Sequence, residues 1–90
     1  MKIKIEYTNK AIKELTKLND SDAKKIVKKI NFYISQKDLL MHAKKLKPPF
    51  NDLFRFRVGE YRIIFDIDSN GNIAIFTVFS VKHRKDVYRD

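Results

Sequence analysis

Residues 53–65, Leu-Phe-Arg-Phe-Arg-Val-Gly-Glu-Tyr-Arg-Ile-Ile-Phe, alternate apolar and arginine positions on both sides of a Gly-Glu pair. This spacing predicts two antiparallel strands joined by a two-residue turn at Gly59-Glu60, because glycine supplies the positive φ that tight hairpin turns require. In that register Val58 opposes Tyr61, Arg57 opposes Arg62, Phe56 opposes Ile63 and Arg55 opposes Ile64. Side chains alternate faces along a strand, so Arg55, Arg57 and Arg62 share one face while Phe54, Phe56, Val58, Ile63 and Phe65 share the other. Like charges set directly opposite one another destabilise a sheet. Two opposed arginines therefore point to an anion as the occupant of that face.

The rest of the chain builds a frame for this hairpin. Ile3, Ile5 and Tyr7 alternate with Lys2, Lys4 and Glu6, the period of a half-buried strand. Thr8 or Asn9 is placed to cap a helix with Ala11, Leu15 and Leu18 on one face. Asn19-Asp20-Ser21-Asp22 breaks that helix and opens a second, with acidic residues at the positive end of its dipole. In the second helix Ala23, Ile26, Val27, Ile30, Tyr33 and Ile34 form an apolar stripe, and Lys24, Lys25, Lys28 and Lys29 lie largely off it as a solvated face. Residues 37–47 read as a short helix or turn leading to a loop held by Pro48-Pro49, with His42 incidental to any chemistry.

After the first hairpin, Asn70-Gly71 signals a second turn and hence a three-stranded meander. Ala74, Phe76 and Val78 extend the face of Ile63 and Phe65, which the helices cover. The opposite face is open, or partly covered by a tail running from Val81 to Asp90. The order β-α-α-β-β-β makes residues 1–90 one small α+β domain, an antiparallel meander packed on a helical hairpin.

Composition narrows the function classes. Twenty Lys and Arg against eleven Asp and Glu leave a formal charge of +9, which favours polyanionic partners and salt-dependent binding. No apolar run approaches the ~20 residues of a membrane span. The chain has no cysteine, which excludes disulfides and thiolate metal sites and fits a reducing compartment. The alternating N-terminus lacks the continuous apolar core of a signal peptide, and a cytoplasmic location is expected.

Lys45-Leu46-Lys47, the Leu53–Phe65 hairpin, and Val81-Lys-His-Arg-Lys-Asp-Val-Tyr88 occur in this order over nearly the whole chain. Together they resemble the RelE/ParE family of toxins from type II toxin–antitoxin systems, with the RelE-like branch favoured. The resemblance implies an mRNA interferase, an endoribonuclease that acts on messenger in the ribosome, inhibits translation and is held inactive by a cognate antitoxin. It implies cleavage without metal or cofactor, by attack of the ribose 2′-hydroxyl on the adjacent phosphate. The family pattern places Arg62 and Arg84 on the phosphate and Arg55 and Arg57 as stabilisers of developing charge. Proton transfer then falls to His83, to Tyr88 or to ribosomal RNA groups, Tyr88 serving alternatively as a stacking platform.

The chain departs from that pattern in two ways. The best-known active members carry lysines where this chain has Arg55 and Arg57, and arginine cannot accept a proton near neutral pH. Lys82 stands where glycine is common before the His-Arg pair, which bears on the turn more than on the chemistry. Two other readings stay open: a ParE-like inhibitor of DNA gyrase, and an RNA-binding homologue whose catalysis has decayed.

Overall fold

A single residue, Thr8, ends the first strand and starts the first helix. Its N–H donates to the Val78 carbonyl at 3.0 Å and its hydroxyl to the Phe79 carbonyl at 2.9 Å. The same hydroxyl oxygen accepts the Ala11 N–H at 3.1 Å, satisfying one of the amides that a helix start leaves unpaired. This computed structural model describes residues 2–35, 43–49, 53–70 and 73–87. Its elements are β1 (Lys2–Tyr7), α1 (Asn9–Thr16), α2 (Asp20–Ser35), β2 (Lys44–Lys45), β3 (Phe54–Val58), β4 (Tyr61–Asn70), β5 (Ile73–His83) and α3 (Arg84–Val87). Asn19 caps α2, its side-chain oxygen accepting the Asp22 N–H at 2.8 Å.

The strands form one five-stranded sheet in the order β1-β5-β4-β3-β2. β1 runs parallel to β5, whereas the other neighbours are antiparallel. The fold is α+β, with a meander packed on a helical hairpin. Ala11 of α1 and Ile26 and Ile30 of α2 lie buried against Phe56, Val58, Ile63, Phe65, Phe76, Val78 and Val81. At its centre Phe65 stacks on Phe76 with ring centroids 4.5 Å apart, and Phe56 lies 5.1 Å from Phe65. Among the described residues no helix is long and apolar enough to cross a membrane.

The first hairpin has the expected register, with Arg57 opposite Arg62 and Val58 opposite Tyr61. Gly59 takes φ 59° and, among the described residues, no non-glycine residue has positive φ, the pattern of a type II′ turn. A Cβ on Gly59 would meet nothing within 4 Å. Backbone conformation, not space, therefore requires glycine there.

Three expectations are corrected. Lys44 and Lys45, placed in a helix or turn by sequence, form an edge strand paired with Arg55 and Phe54; residues 36–42 lie outside the described set. Asn70 is still strand and pairs with Ile73. Relative to a loop at Asn70-Gly71 the register moves by two, so Ser69 opposes Ala74, and the faces survive because side chains alternate with period two. Finally, Val81–His83 is not tail but the end of β5.

A β-bulge decides how that end is presented. Phe65 pairs with Val78 and Ile64 with Ser80, leaving Phe79 as an extra residue. One extra residue exchanges the faces of everything beyond it. Past the bulge, Val81 and His83 turn toward the helices and Lys82 turns toward the arginines. Beyond the last β1 pair, at Val78, Glu14 of α1 takes the place of a strand. Its Oε1 accepts the Ser80 hydroxyl and the Val81 N–H, both at 3.0 Å, and its Oε2 lies 3.7 Å from Lys82 Nζ.

Candidate functional site

Residues directly opposite in a sheet project to the same face, so the pairing registers locate the cations. Arg57 opposes Arg62, and Arg62 opposes Lys82 on its other side. Three cations thus form a row across β3, β4 and β5. Lys44 opposes Arg55 further along the same face. Lys82 is partly neutralised by Glu14, whereas Arg57 is exposed.

The C-terminal end of β5 adds a further cation. The Arg84 N–H donates to the Glu60 carbonyl at 2.8 Å, which ties the start of α3 to the β3–β4 turn. Its guanidinium Nη1 lies 3.4 Å from Glu60 Oε2. Arg57, Arg62 and Arg84 line one small cavity with Gly59, Glu60 and Tyr61. Three guanidinium groups outweigh one carboxylate, and guanidinium presents the planar fork that suits phosphate oxygens. The Arg84–Glu60 pair is largely exposed, with side chains 66% and 60% accessible; such pairs are worth about 0–1 kcal/mol and yield to a bound phosphate. Arg57 also lines a neighbouring groove of about 420 Å³ with Tyr33, Lys44, Arg55 and Phe56. The two hollows form one cationic track.

His83 lies elsewhere. The bulge turns it to the helix-covered face, where it opposes Tyr61 and meets that ring edge-on at 5.2 Å between centroids. Its Nδ1 accepts the Lys85 N–H at 3.1 Å, so the ring proton sits on Nε2. It borders clefts shared with Asp22 and Lys25 and with Glu14 and Lys17. The Tyr61 hydroxyl donates to Asp22 Oδ2 at 3.2 Å. Burial first, then the Asp22 hydrogen bond and charge, raise the Tyr61 pKa.

Of the residues singled out by sequence, Arg57, Arg62 and Arg84 come together, Arg55 adjoins them, and His83 stands apart. Tyr88 and His42 lie outside the described residues. Sequence reasoning missed Lys44 as a neighbour of Arg55, Lys82 as a neighbour of Arg62, and Glu60 as the anion among the arginines. The signal for Glu60 was its place beside Gly59 in the turn that sets the two strands together. Chemically, such a set of arginines can hold and neutralise a phosphate but can take no proton. Among the described residues no three potential ligands cluster as a metal site requires.

Comparisons with known proteins bear on the fold and the family. Residues 5–88 match the model of the ParE toxin of the type II toxin–antitoxin system parDE. No curated protein sequence matches the chain. Among solved structures, the RelBE2 toxin–antitoxin complex of Mycobacterium tuberculosis contains a chain with TM-score 0.72 and 24% identity, over 93% of this chain and all of that one. YafQ from E. coli superposes with TM-score 0.73 at 11% identity, covering 97% of this chain and 99% of that one. The RelB–RelE antitoxin–toxin complex of Methanococcus jannaschii gives TM-score 0.59 at 27% identity, covering 92% and 94%. The fold is thus that of the RelE-like toxins, and the match along residues 5–88 places this chain in the RelE/ParE family of toxins of type II toxin–antitoxin systems.

Proposed function

We propose that this chain is a ribosome-dependent endoribonuclease that inhibits translation by cutting messenger RNA. The observation that carries this reading is the convergence of Arg57, Arg62 and Arg84 on one cavity beside the β3–β4 turn. A sheet gains nothing from opposing two arginines, whereas a phosphodiester passing through a pentacoordinate, more negative transition state gains from each. In this reading the ribose 2′-oxygen attacks the adjacent phosphorus and the bond to the 5′-oxygen breaks. The products are a 2′,3′-cyclic phosphate and a 5′-hydroxyl. Arg62 and Arg84 hold the scissile phosphate, Arg57 stabilises its growing charge, and Arg55 with Lys44 guides the flanking backbone. Tyr88 supplies a stacking surface for a flanking base.

A cognate antitoxin covers the same track with acidic side chains and so blocks it. Support comes from the Mycobacterium tuberculosis and Methanococcus jannaschii neighbours, both solved as toxin–antitoxin complexes. The site of action is the cytoplasm, where ribosomes and messenger are.

The test is induction in cells followed by mapping of messenger 5′ ends. Codon-phased cuts that require active translation support the proposal. Loss of one charge-stabilising donor typically costs 10²–10³-fold in rate, so Arg62→Ala and Arg84→Ala should each abolish growth inhibition while retaining the fold. The matching family model, described as a ParE toxin, favours a second reading, a gyrase inhibitor. In that case messengers stay intact and purified gyrase loses supercoiling activity.

A further inference from the structure

Cleavage by 2′-hydroxyl attack needs a proton acceptor on the arginine side of the sheet. Arginine does not serve, because its guanidinium stays protonated throughout the physiological range. His83 does not serve either, because the bulge at Phe79 turns it to the helix-covered face, against Tyr61. Glu60 is different. It is the carboxylate that lines the cavity of Arg57, Arg62 and Arg84.

Its position is set by backbone as well as side chain. Gly59, at φ 59°, shapes the turn that presents Glu60. The Glu60 carbonyl accepts the Arg84 N–H at 2.8 Å, and the carboxylate lies 3.4 Å from the Arg84 guanidinium. The side chain is 60% accessible, so a ribose can reach it. A phosphate seated on the arginines carries its neighbouring 2′-hydroxyl with it, and the carboxylate stands beside that seat.

We propose that Glu60 is the general base of the reaction, an inference that rests on the ribonuclease reading. Glu60 takes the 2′-hydroxyl proton as the bond from O2′ to phosphorus forms. The bond from phosphorus to O5′ breaks, and the leaving O5′ takes a proton from water. Release of the Arg84 pair is part of the step, because the phosphate then holds the guanidinium and the carboxylate turns to the ribose. The carboxylate also answers the departure at Arg55 and Arg57. With no lysine on that strand pair, the base comes from the turn.

The experiment measures single-turnover cleavage on translating ribosomes for wild type, Glu60→Gln, Glu60→Asp and Glu60→Ala. Binding is measured in parallel on ribosomes programmed with messenger carrying a 2′-O-methyl ribose at the cut position, and thermal unfolding verifies the fold of each variant. Glutamine keeps the size and can still accept a hydrogen bond from Arg84, but it takes no proton. General-base catalysis is typically worth 10²–10⁴-fold, so Glu60→Gln and Glu60→Ala should both lose about that much while binding persists, and Glu60→Asp should retain part of the rate. Cleavage by Glu60→Gln at the wild-type rate, with Glu60→Ala impaired, makes Glu60 a holder of Arg84 and overturns the proposal. Faster cleavage by Glu60→Gln makes Glu60 a competing anion and also overturns it. If wild type fails to cut, the ribonuclease reading falls first and this inference falls with it.

Discussion

Tyr61 and His83 face each other across β4 and β5, edge to face, on the side of the sheet that the helices cover. An extra residue at Phe79 is responsible: without that bulge His83 would sit with Arg62. The pair packs at the end of β5, where the Tyr61 hydroxyl reaches Asp22 of α2. Replacement by His83→Gln should cost about 0.5–1.5 kcal/mol, the usual worth of an edge-on ring pair. Cleavage should continue at close to the wild-type rate. Chemical denaturation and ribosome cleavage assays on the same preparation read the two quantities, and a large loss of rate with intact fold would return His83 to the chemistry.

Arg57 and Arg62 oppose one another across β3 and β4, and like charges set so destabilise a sheet. Replacing Arg57 by threonine, a good strand former, should therefore stabilise the protein by about 0.2–1 kcal/mol at low ionic strength. At ~1 M salt, where the Debye length is ~3 Å, the gain should largely vanish. The same variant should bind single-stranded RNA more weakly, with a salt slope reduced by about 0.7 for one lost phosphate contact. Stability rising as binding falls is the signature of a site maintained against the fold; unchanged stability at low salt would show that the two guanidinium groups do not repel.

The first hairpin was legible because alternation and a Gly-Glu turn specify both register and faces, and the pairing of Arg57 with Arg62 follows from counting residues. The helical hairpin was legible for a similar reason, since the stripe of Ile26 and Ile30 and the capping residues are local signals. The bulge was not. Phe79 is a good strand former, and nothing in its type marks it as the residue that steps out of the ladder. Tertiary contacts from Thr8 and Glu14, both remote in sequence, hold the backbone there. Lys44 escaped notice because a two-residue edge strand carries no period of its own. Half of the site was thus local and readable, and half depended on one register shift.

Glu14 is the side chain that secures that shift. Its Oε1 accepts both the Ser80 hydroxyl and the Val81 N–H where β1 has ended. Ser80 is 4% exposed and Val81 likewise, so water does not readily replace the carboxylate. Glu14→Ala should cost about 1–3 kcal/mol for the donors left unmade, and the Val81 amide should exchange much faster with deuterium. Glu14→Gln keeps an acceptor oxygen and loses only the Lys82 pairing, so it should cost far less. Equal losses in the two variants would mean that charge, not hydrogen bonding, anchors the end of β5.

Alkaline pH gives a separate handle on the helix-facing side. Burial raises the pKa of Tyr7 above its ordinary 10.0, and burial followed by the Asp22 hydrogen bond and charge raises that of Tyr61. Above pH 10.0 the unfolded tyrosines release protons while the folded ones keep theirs. The unfolded state then binds fewer protons, so stability must fall as pH rises. The contribution is fully present below pH 10.0 and is lost as pH climbs through the raised folded values. Tyr61→Phe should make the decline of the unfolding midpoint above pH 10.0 shallower, even though it lowers the midpoint at neutral pH by removing the bond to Asp22. Asp22→Asn should have a smaller effect on that slope, because burial, the larger cause, remains. A midpoint measured in steps from neutrality into the alkaline range tests this, and an alkaline slope that Tyr61→Phe leaves unaltered would place its hydroxyl in contact with solvent rather than with α2.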